Sequence, residues 1–211
     1  MRLHDADWAP SPRRVRVYLA EKGIAVERRP VDLRAGELMS DDYRRENPFA
    51  AVPVLELDDG ELIPESAAIC RYFETLHPSP PLFGGSDPLA VARIESWTRR
   101  IEHDGYAAAV NVLRNARPAF VDRPLPGAWP PMAQIPALAE RGEMMWNVFV
   151  QALDEQLRRA AWVTGDAFTF ADVTLLVTVD FAGAARLPVP ESCANLRRWH
   201  EAASARPSAS A

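Results

Sequence analysis

The stretch NPFAAVPVLELDDG, from Asn47 to Gly60, decides the fold of this chain. From Val52 onward its apolar and polar residues alternate, which predicts a strand. The turn sequence Asp58-Asp59-Gly60 then predicts a hairpin that returns as a second strand at Glu61 to Ile63. A proline, Pro53, stands at the start of the first strand, where a missing N–H is tolerated. The front half is therefore organised around a hairpin that begins at a proline.

Outward from this hairpin, the front half alternates strands and helices. Strands are predicted around Leu3 and from Val26 to Leu33, with a helix between them. A short helix begins at Ser40, and Glu65-Ser66 opens a third helix after the hairpin. The order is strand–helix–strand, helix, then strand–strand–helix. This order, with Pro53 at the start of the third strand, is that of a thioredoxin-like domain.

The back half is predicted to be a second, all-helical domain. Prolines and glycines at residues 78–86 indicate a linker between a domain at residues 1–77 and one at residues 87–211. Asp87-Pro88 begins a long helix that ends at Arg117-Pro118. The predicted fold is an α/β thioredoxin-like N-terminal domain followed by an all-α C-terminal domain.

The composition excludes several classes of protein. A chain of 211 residues that is 48% hydrophobic is too apolar for disorder and long enough for two small domains. A net charge of −5 without a basic stripe speaks against nucleic acid or an anionic membrane as a partner. No signal peptide is predicted, and the isolated Cys70 and Cys193 are typical of reduced thiols, so we expect a cytoplasmic protein. The 4 histidines are scattered without the spacing of a metal site.

Several segments together resemble the cytosolic glutathione transferase family. They are RRVRVYLAEKG (Arg13–Gly23), NPFAAVPVLELDDG (Asn47–Gly60), LIPESAAICRYFE (Leu62–Glu74) and TFADVTLL (Thr169–Leu176), in the family's order and spacing. The beginning of the chain is most similar to a fungal and bacterial class that lacks an N-terminal catalytic Tyr, Ser or Cys. The resemblance implies a homodimer that uses glutathione as co-substrate, and it implies no metal.

The γ-glutamyl end of glutathione has candidate contacts in the front domain. A cis peptide bond before Pro53 would turn the backbone of Val52 outward to pair with a peptide ligand; a strand-edge proline without a ligand is the alternative. Glu65 suits the ligand's ammonium group, and Ser66 with its helix N-terminus suits the ligand's carboxylate. These two residues can also cap the helix, which is compatible with binding. Arg13, at the start of the first helix, is a further candidate for glutathione binding.

The glycine end of glutathione has no obvious contacts. The family usually places a Lys or His at the positions of Leu38 and Ala51, and both are apolar here. The loss of a charge-assisted hydrogen bond costs about 1.5–3 kcal/mol. We therefore expect weak binding, a replacement arginine or a different ligand.

Ser11 presents a choice between a structural and a catalytic role. The family's reactive side chain falls at Ala9, which has neither a hydrogen-bond donor nor a sulfur. Because Ser11 directly precedes Pro12, we interpret it first as the N-cap of the helix, with thiol activation as the alternative. A thiol of pKa about 8.5 is mostly protonated at neutral pH, so the helix N-terminus and Arg13 or Arg14 are expected to favour the thiolate.

The resemblance also points to the first long helix of the back half. In the similar class, a polar pair from this helix and a water substitute for the missing side chain. The usual histidines are absent here, and Arg114 and Asn115 remain as polar catalytic candidates. Tyr106 and Val110 share a helical face, and together with Trp8 they are candidates for contact with an apolar second substrate. Packing is the alternative role for these residues.

Two functional interpretations follow. We predict a glutathione transferase of weak or atypical activity that joins the thiol of glutathione to a small hydrophobic electrophile. The alternative is a non-catalytic member of the fold that binds ligands or acts as a scaffold. A glutathione-dependent isomerase is disfavoured because the serine- and cysteine-bearing loop of the isomerase class is absent. The sequence names no particular electrophile.

Overall fold

The computed structural model describes all 211 residues, which form two compact units. The first comprises Met1–Pro80 and Leu125–Pro130 with the final residue, and the second comprises Pro81–Pro124 and Pro131–Ser210. The first unit is thioredoxin-like and the second is helical, which confirms the predicted fold class. The return of Leu125–Pro130 to the first unit was not expected from the sequence.

The first unit is built on a mixed sheet. Its elements are β1 (Arg2–Asp5), α1 (Pro10–Lys22), β2 (Glu27–Pro30), α2 (Asp41–Glu46), β3 (Val54–Glu56), β4 (Leu62–Pro64) and α3 (Ser66–Leu76). The strand order is β2-β1-β3-β4, with β1 parallel to β2 and the other pairs antiparallel. The predicted hairpin is therefore present as β3 and β4. The hydrophobic core of the first unit includes Leu3, Val15, Leu55, Ile69 and Phe73.

Helix α1 begins earlier than predicted. Ala9 is its N-cap, with extended backbone (φ −82°, ψ 135°), and the Ala9 carbonyl accepts a hydrogen bond from the Arg13 N–H at 3.2 Å. The prediction that Ser11 caps this helix is therefore wrong. A proline's fixed φ and missing N–H suit the first helical position, and Pro10 rather than Pro12 occupies it. Ser11 lies inside the first turn.

The second unit is a set of packed helices. They are α4 (Pro88–Arg100), a π-helical segment (Ile101–Tyr106), α5 (Ala107–Ala116), α6 (Pro136–Leu157), α7 (Phe170–Ala184) and α8 (Ala194–Ser204), with short 3-10 turns at Pro118–Phe120 and Pro207–Ser210. Asp87 caps α4 by accepting the Leu89 N–H at 2.9 Å. The run from α4 to α5 is the predicted long helix; its last residue is Ala116, and Arg117 is its C-cap. No helix in the chain combines the length and the apolar character that crossing a membrane requires.

The start of α7 is fixed by the buried carboxylate of Asp172. Its Oδ2 accepts the N–H of Thr169 at 2.9 Å, which completes a capping box at the start of the helix. Its Oδ1 accepts the N–H of Val163 and the indole N–H of Trp199, each at 2.9 Å. One carboxylate thus joins the beginning of α7 to the preceding loop and to α8. The role of Asp172 is therefore structural.

Candidate functional site

The hairpin brings the predicted γ-glutamyl contacts to one place. Val54, the first residue of β3, lies opposite Pro64, the last residue of β4. Pro53 immediately precedes β3, and Glu65 immediately follows β4. Both therefore lie at the same end of the strand pair, and Ser66 begins α3 there. The Val52–Pro53 peptide bond is cis.

The backbone of Val52 is available at this end of the hairpin. Neither its N–H nor its C=O makes a hydrogen bond within the chain. The neighbouring Ala51 carbonyl is held, because it accepts from Asn47 Nδ2 at 2.7 Å and from the Tyr43 hydroxyl at 3.3 Å. The loop is thus anchored one residue before a backbone donor and acceptor that an extended peptide can pair with.

Glu65 holds an unusual backbone conformation. Its φ of 69° and ψ of 118° place a non-glycine residue in the positive-φ region at the N-cap of α3. Such conformations cost on the order of 1–3 kcal/mol and are concentrated at ligand sites. The Glu65 side chain is exposed, and its carboxylate forms no ion pair within the chain. It is therefore available to a cation from solvent.

Ser66 is linked to a cation that the sequence analysis had not assigned to it. Nη1 of Arg14 donates to the Ser66 hydroxyl oxygen at 3.5 Å. Both side chains are buried, with Ser66 6% and Arg14 8% exposed. Arg13, the predicted contact, lies one residue earlier in α1 and is only half-buried. A role for Arg13 in ligand binding stays a prediction.

The Arg14–Ser66 contact is the first step of a polar ladder between α1 and α3. Tyr18, four residues further along α1, donates its hydroxyl to Glu74 Oε2 at 2.7 Å. Lys22, four residues further again, forms an ion pair with the same oxygen at 2.9 Å. Cys70 lies in α3 between Ser66 and Glu74, and burial raises the pKa of its thiol. The matching four-residue spacings in α1 and α3 were the sequence signal for this ladder.

Two prolines reduce the number of backbone N–H groups in the first turn of α1. Pro10 and Pro12 have none, and the Arg13 N–H is bonded to the Ala9 carbonyl. These three residues therefore offer no backbone N–H to an anion at this terminus. The helix dipole and the arginine side chains remain as sources of positive potential.

Two predicted residues of the second unit have defined aromatic neighbours. Tyr106, at the end of the π-helical segment, stacks on Phe181 with ring centroids 5.1 Å apart. The guanidinium of Arg114 lies 4.7 Å from the ring centroid of Phe120, and its Nη1 donates to the Arg123 carbonyl at 3.0 Å. Burial lowers the pKa of Arg114, which nevertheless remains a cation at neutral pH.

Asn115 is engaged in holding α5 to α6. Its Oδ1 accepts the N–H of Ile135 at 3.0 Å, and its Nδ2 donates to the Asn111 carbonyl at 3.0 Å. These bonds account for its burial, and a catalytic role for Asn115 stays a prediction. Val110 is half-buried on α5, and Trp8 is exposed in the first unit.

The positions predicted for the ligand's glycine end are as apolar as the sequence suggested. Leu38 lies in a 3-10 turn (Glu37–Met39) and Ala51 in the loop before Val52, and both are half-buried. Neither side chain can pair with a carboxylate, so the predicted polar contacts stay confined to the γ-glutamyl end. No group of His, Cys, Asp or Glu side chains in the chain is arranged to hold a metal ion.

Known proteins share this architecture. The family described as glutathione S-transferase, N-terminal domain, matches residues 8–76, and the one described as glutathione S-transferase, C-terminal domain, matches residues 131–207. Glutathione S-transferase 2 of Saccharomyces cerevisiae is 32% identical over 99% of this chain and 87% of its own length. Maleylacetoacetate isomerase of Pseudomonas aeruginosa is 41% identical over 54% of this chain and 56% of its own length.

Solved structures agree with the sequence comparisons. The crystal structure of Gtt2 from Saccharomyces cerevisiae superposes with a TM-score of 0.86 at 32% identity, covering 99% of this chain and 98% of that one. A glutathione S-transferase domain-containing protein from Marinobacter aquaeolei gives a TM-score of 0.87 at 34% identity, covering 99% of both chains. The similarity therefore extends over both units.

Proposed function

The chain belongs to the glutathione S-transferase family, and from that premise we propose that it conjugates the thiol of glutathione to a small hydrophobic electrophile. The proposal depends on one observation: Val52, Glu65 and Ser66 lie at the same end of the β3–β4 hairpin. Backbone groups without hydrogen bonds within the chain, an exposed carboxylate and a helix N-terminus match the groups of a γ-glutamyl peptide.

Each part of the ligand has a proposed contact. The α-carboxylate of the γ-glutamyl residue accepts from the Ser66 hydroxyl and the first N–H groups of α3. The α-ammonium group pairs with the Glu65 carboxylate. The cysteinyl N–H and C=O pair with the backbone of Val52, which places the thiol near the start of the first unit's β3. Each hydrogen bond to a charged group contributes about 1.5–3 kcal/mol.

In the proposed reaction, the thiol loses its proton to solvent and the thiolate sulfur forms a bond to the electrophilic carbon. In a substitution the leaving group departs with the electron pair of its bond to that carbon; in an addition the π electrons move to the neighbouring atom, which takes a proton from solvent. Ala9 offers no hydrogen bond to the sulfur, so we propose that the dipole of α1 and a nearby arginine favour the thiolate. Because Ala9 rather than Ser11 is the N-cap, thiol activation by Ser11 becomes the first alternative to test. Arg114 and Asn115 are the next catalytic candidates.

For the electrophile, we propose contacts with Tyr106 and Val110 in the second unit, and separately with Trp8 in the first. Stacking on Phe181 fixes the ring of Tyr106, so this side chain presents a rigid aromatic surface. Substitution of Tyr106 by alanine is expected to raise KM for an apolar electrophile and to leave KM for glutathione unchanged.

We propose a cytoplasmic homodimer. A groove of about 390 Å³ between α4 and α6 is lined by apolar side chains that include Trp97, Met144 and Val148. Met144 and Val148 are 69% and 68% exposed, which is unusual for a chain that functions alone. Arg100 and Asp104 border the groove and form an ion pair with each other at 3.7 Å, so the apolar side chains are the part of the surface that a second copy would cover. Light scattering at micromolar concentration should give twice the chain mass.

A second candidate function is ligand binding without catalysis. The apolar residues at Ala9, Leu38 and Ala51 favour it, because they remove a thiol donor and the glycine-end contacts. Calorimetry with glutathione, combined with a chromogenic electrophile assay, separates the two. Binding with turnover supports the transferase, binding without turnover supports the alternative, and absence of binding contradicts both.

A further inference from the structure

Three half-buried side chains follow one another along the helix that ends at Ala116. Tyr106, Val110 and Arg114 are spaced four residues apart, so they share one helical face over about 12 Å. Tyr106 closes the π-helical segment, and the other two lie in α5. We name these three residues the amphipathic stripe, because it begins with an aromatic ring, continues with an apolar side chain and ends with a cation.

The aromatic end of the stripe is a fixed surface. The ring of Tyr106 stacks on Phe181 at an interplanar angle of 28°. Together with Val110, this ring offers apolar contact to a flat ligand. Such contact depends on the area that is buried, so it favours a neutral and a charged ligand of the same shape equally.

The cationic end of the stripe is held on two sides. The Phe120 ring lies against the guanidinium of Arg114, and the Arg123 carbonyl accepts from its Nη1. Both partners belong to the segment that follows α5. Because these contacts already order the guanidinium, a ligand that pairs with it loses little affinity to the ordering of this side chain. A planar guanidinium matches the two oxygens of a carboxylate.

The electrostatic surroundings of Arg114 extend its influence along the stripe. Burial lowers the pKa of this guanidinium, and the phenol of Tyr106 acts in the opposite direction. The two ends of the stripe are therefore close enough to interact electrically across Val110. Arg123 places a second positive charge near Arg114, and partial burial limits the screening of both charges by salt.

We propose that the amphipathic stripe binds an electrophile with an apolar body and a carboxylate, and that Arg114 is the residue that selects the carboxylate. The inference rests on the proposed function and deepens it, because it names the class of the second substrate. A neutral electrophile of the same shape makes the contacts with Tyr106 and Val110 and lacks the charge-assisted bond.

The experiment compares two ligands that carry no leaving group. They are 3,5-dinitrobenzoate and its neutral isostere 3,5-dinitrobenzamide, and calorimetry gives the dissociation constant of each. Arg114→Met should raise the constant for the carboxylate about tenfold and change that for the amide less than about twofold. Arg114→Lys keeps the charge without the planar fork and should restore part of the preference. Tyr106→Ala should weaken both ligands by a similar factor.

Arg117→Met is the matched control. Arg117 stands three residues further along the chain, and its Nη2 donates to the Ala184 carbonyl at 3.1 Å. The backbone surroundings are also alike, because Nε2 of Gln134 donates to the carbonyls of Arg114 and Arg117 at 2.7 and 2.8 Å. This variant removes the same charge near the same helix end, and both dissociation constants should stay within about twofold of the wild type.

The ratio of the two dissociation constants decides the inference. A wild-type chain that binds the amide as tightly as the carboxylate contradicts it. So does an unchanged ratio in Arg114→Met, or in Arg114→Gln if the first variant does not fold. An equal loss of the preference in Arg117→Met would mean that the overall charge of this region, and not Arg114, selects the anion, and the inference would be wrong.

Turnover is measured separately, so that failure of the proposed function can be recognised. The substrate is 4-chloro-3,5-dinitrobenzoate, whose C4 forms a bond to the thiolate sulfur of glutathione while chloride leaves with the electron pair of its bond. Turnover with a KM that rises about tenfold in Arg114→Met supports both proposals. A carboxylate preference that depends on Arg114, without glutathione binding or turnover, would contradict the proposed function and support the carboxylate site alone.

Discussion

Val54 lies directly opposite Pro64 across the β3–β4 pair. This register sets the residue before β3 and the residue after β4 side by side, although they are twelve positions apart in the sequence. A slip of one residue would turn the neighbouring side chains to the opposite faces of the sheet. The proposed ligand site therefore depends on the hairpin register, which the turn at Asp58 to Gly60 fixes.

Substitution of Ser66 by alanine should weaken glutathione binding. Ser66 begins α3 and is proposed to donate to the ligand's α-carboxylate, so the loss should be about 1–2 kcal/mol, or roughly tenfold in the dissociation constant. Calorimetry with glutathione measures it directly. Ser11→Ala is the control, since Ser11 is outside this contact. An unchanged dissociation constant in Ser66→Ala would remove Ser66 from the site.

Substitution of Ser11 by alanine should leave stability nearly unchanged. Ala9 is the N-cap of α1, so the roughly 1 kcal/mol that a lost N-cap costs does not apply at Ser11. Urea unfolding should give a change in free energy below about 0.5 kcal/mol. A large drop in turnover with stability intact would instead identify Ser11 as the thiol activator.

The thiol of bound glutathione should have a pKa only modestly below its free value. A helix N-terminus contributes about 0.3–1 kcal/mol, which is less than one pKa unit, and Pro10 and Pro12 remove N–H groups from this one. The conjugation rate should therefore rise steadily as the pH approaches 8. An ultraviolet titration of the thiolate in the complex checks this. A pKa near 6 would require a strong activator, and Ser11, Arg114 and Asn115 would be the first positions to replace.

Substitution of Asp172 by alanine should destabilise the second unit strongly. Its carboxylate satisfies the buried N–H groups of Val163, Thr169 and Trp199. Their loss should cost about 3–5 kcal/mol of unfolding free energy, measured with urea. Asp87→Ala removes the exposed cap of α4 and should cost only about 1 kcal/mol. Equal losses of unfolding free energy in the two variants would mean that the buried hydrogen bonds of Asp172 stabilise the chain no more than the exposed cap of α4 does.

Local signals predicted much of the fold. The turn Asp58-Asp59-Gly60 and the helix start at Ser66 are each encoded by a few adjacent residues, and the structure contains both. The start of α1 was misplaced because Pro10 and Pro12 both suit a first helical position, and only backbone geometry decides between them.

Contacts between distant segments were harder to predict. The Arg14–Ser66 bond joins residues 52 positions apart, and its only sequence signal is the shared four-residue spacing in α1 and α3. The return of Leu125–Pro130 to the first unit lies in a proline-rich segment without periodicity. The buried bond between Asn115 and Ile135 depends on where α6 begins, which composition does not specify.

The amide group of Val52 tests the central claim most directly. Its N–H makes no hydrogen bond within the chain, and the proposed function gives it one to the cysteinyl carbonyl of glutathione. Nitrogen–proton correlation spectra and hydrogen exchange, recorded with and without glutathione, report on this single group. We predict that the Val52 amide signal shifts and that its exchange slows when glutathione is added, together with the amides at the start of α3. A Val52 amide that keeps its shift and its exchange rate in saturating glutathione would contradict the account.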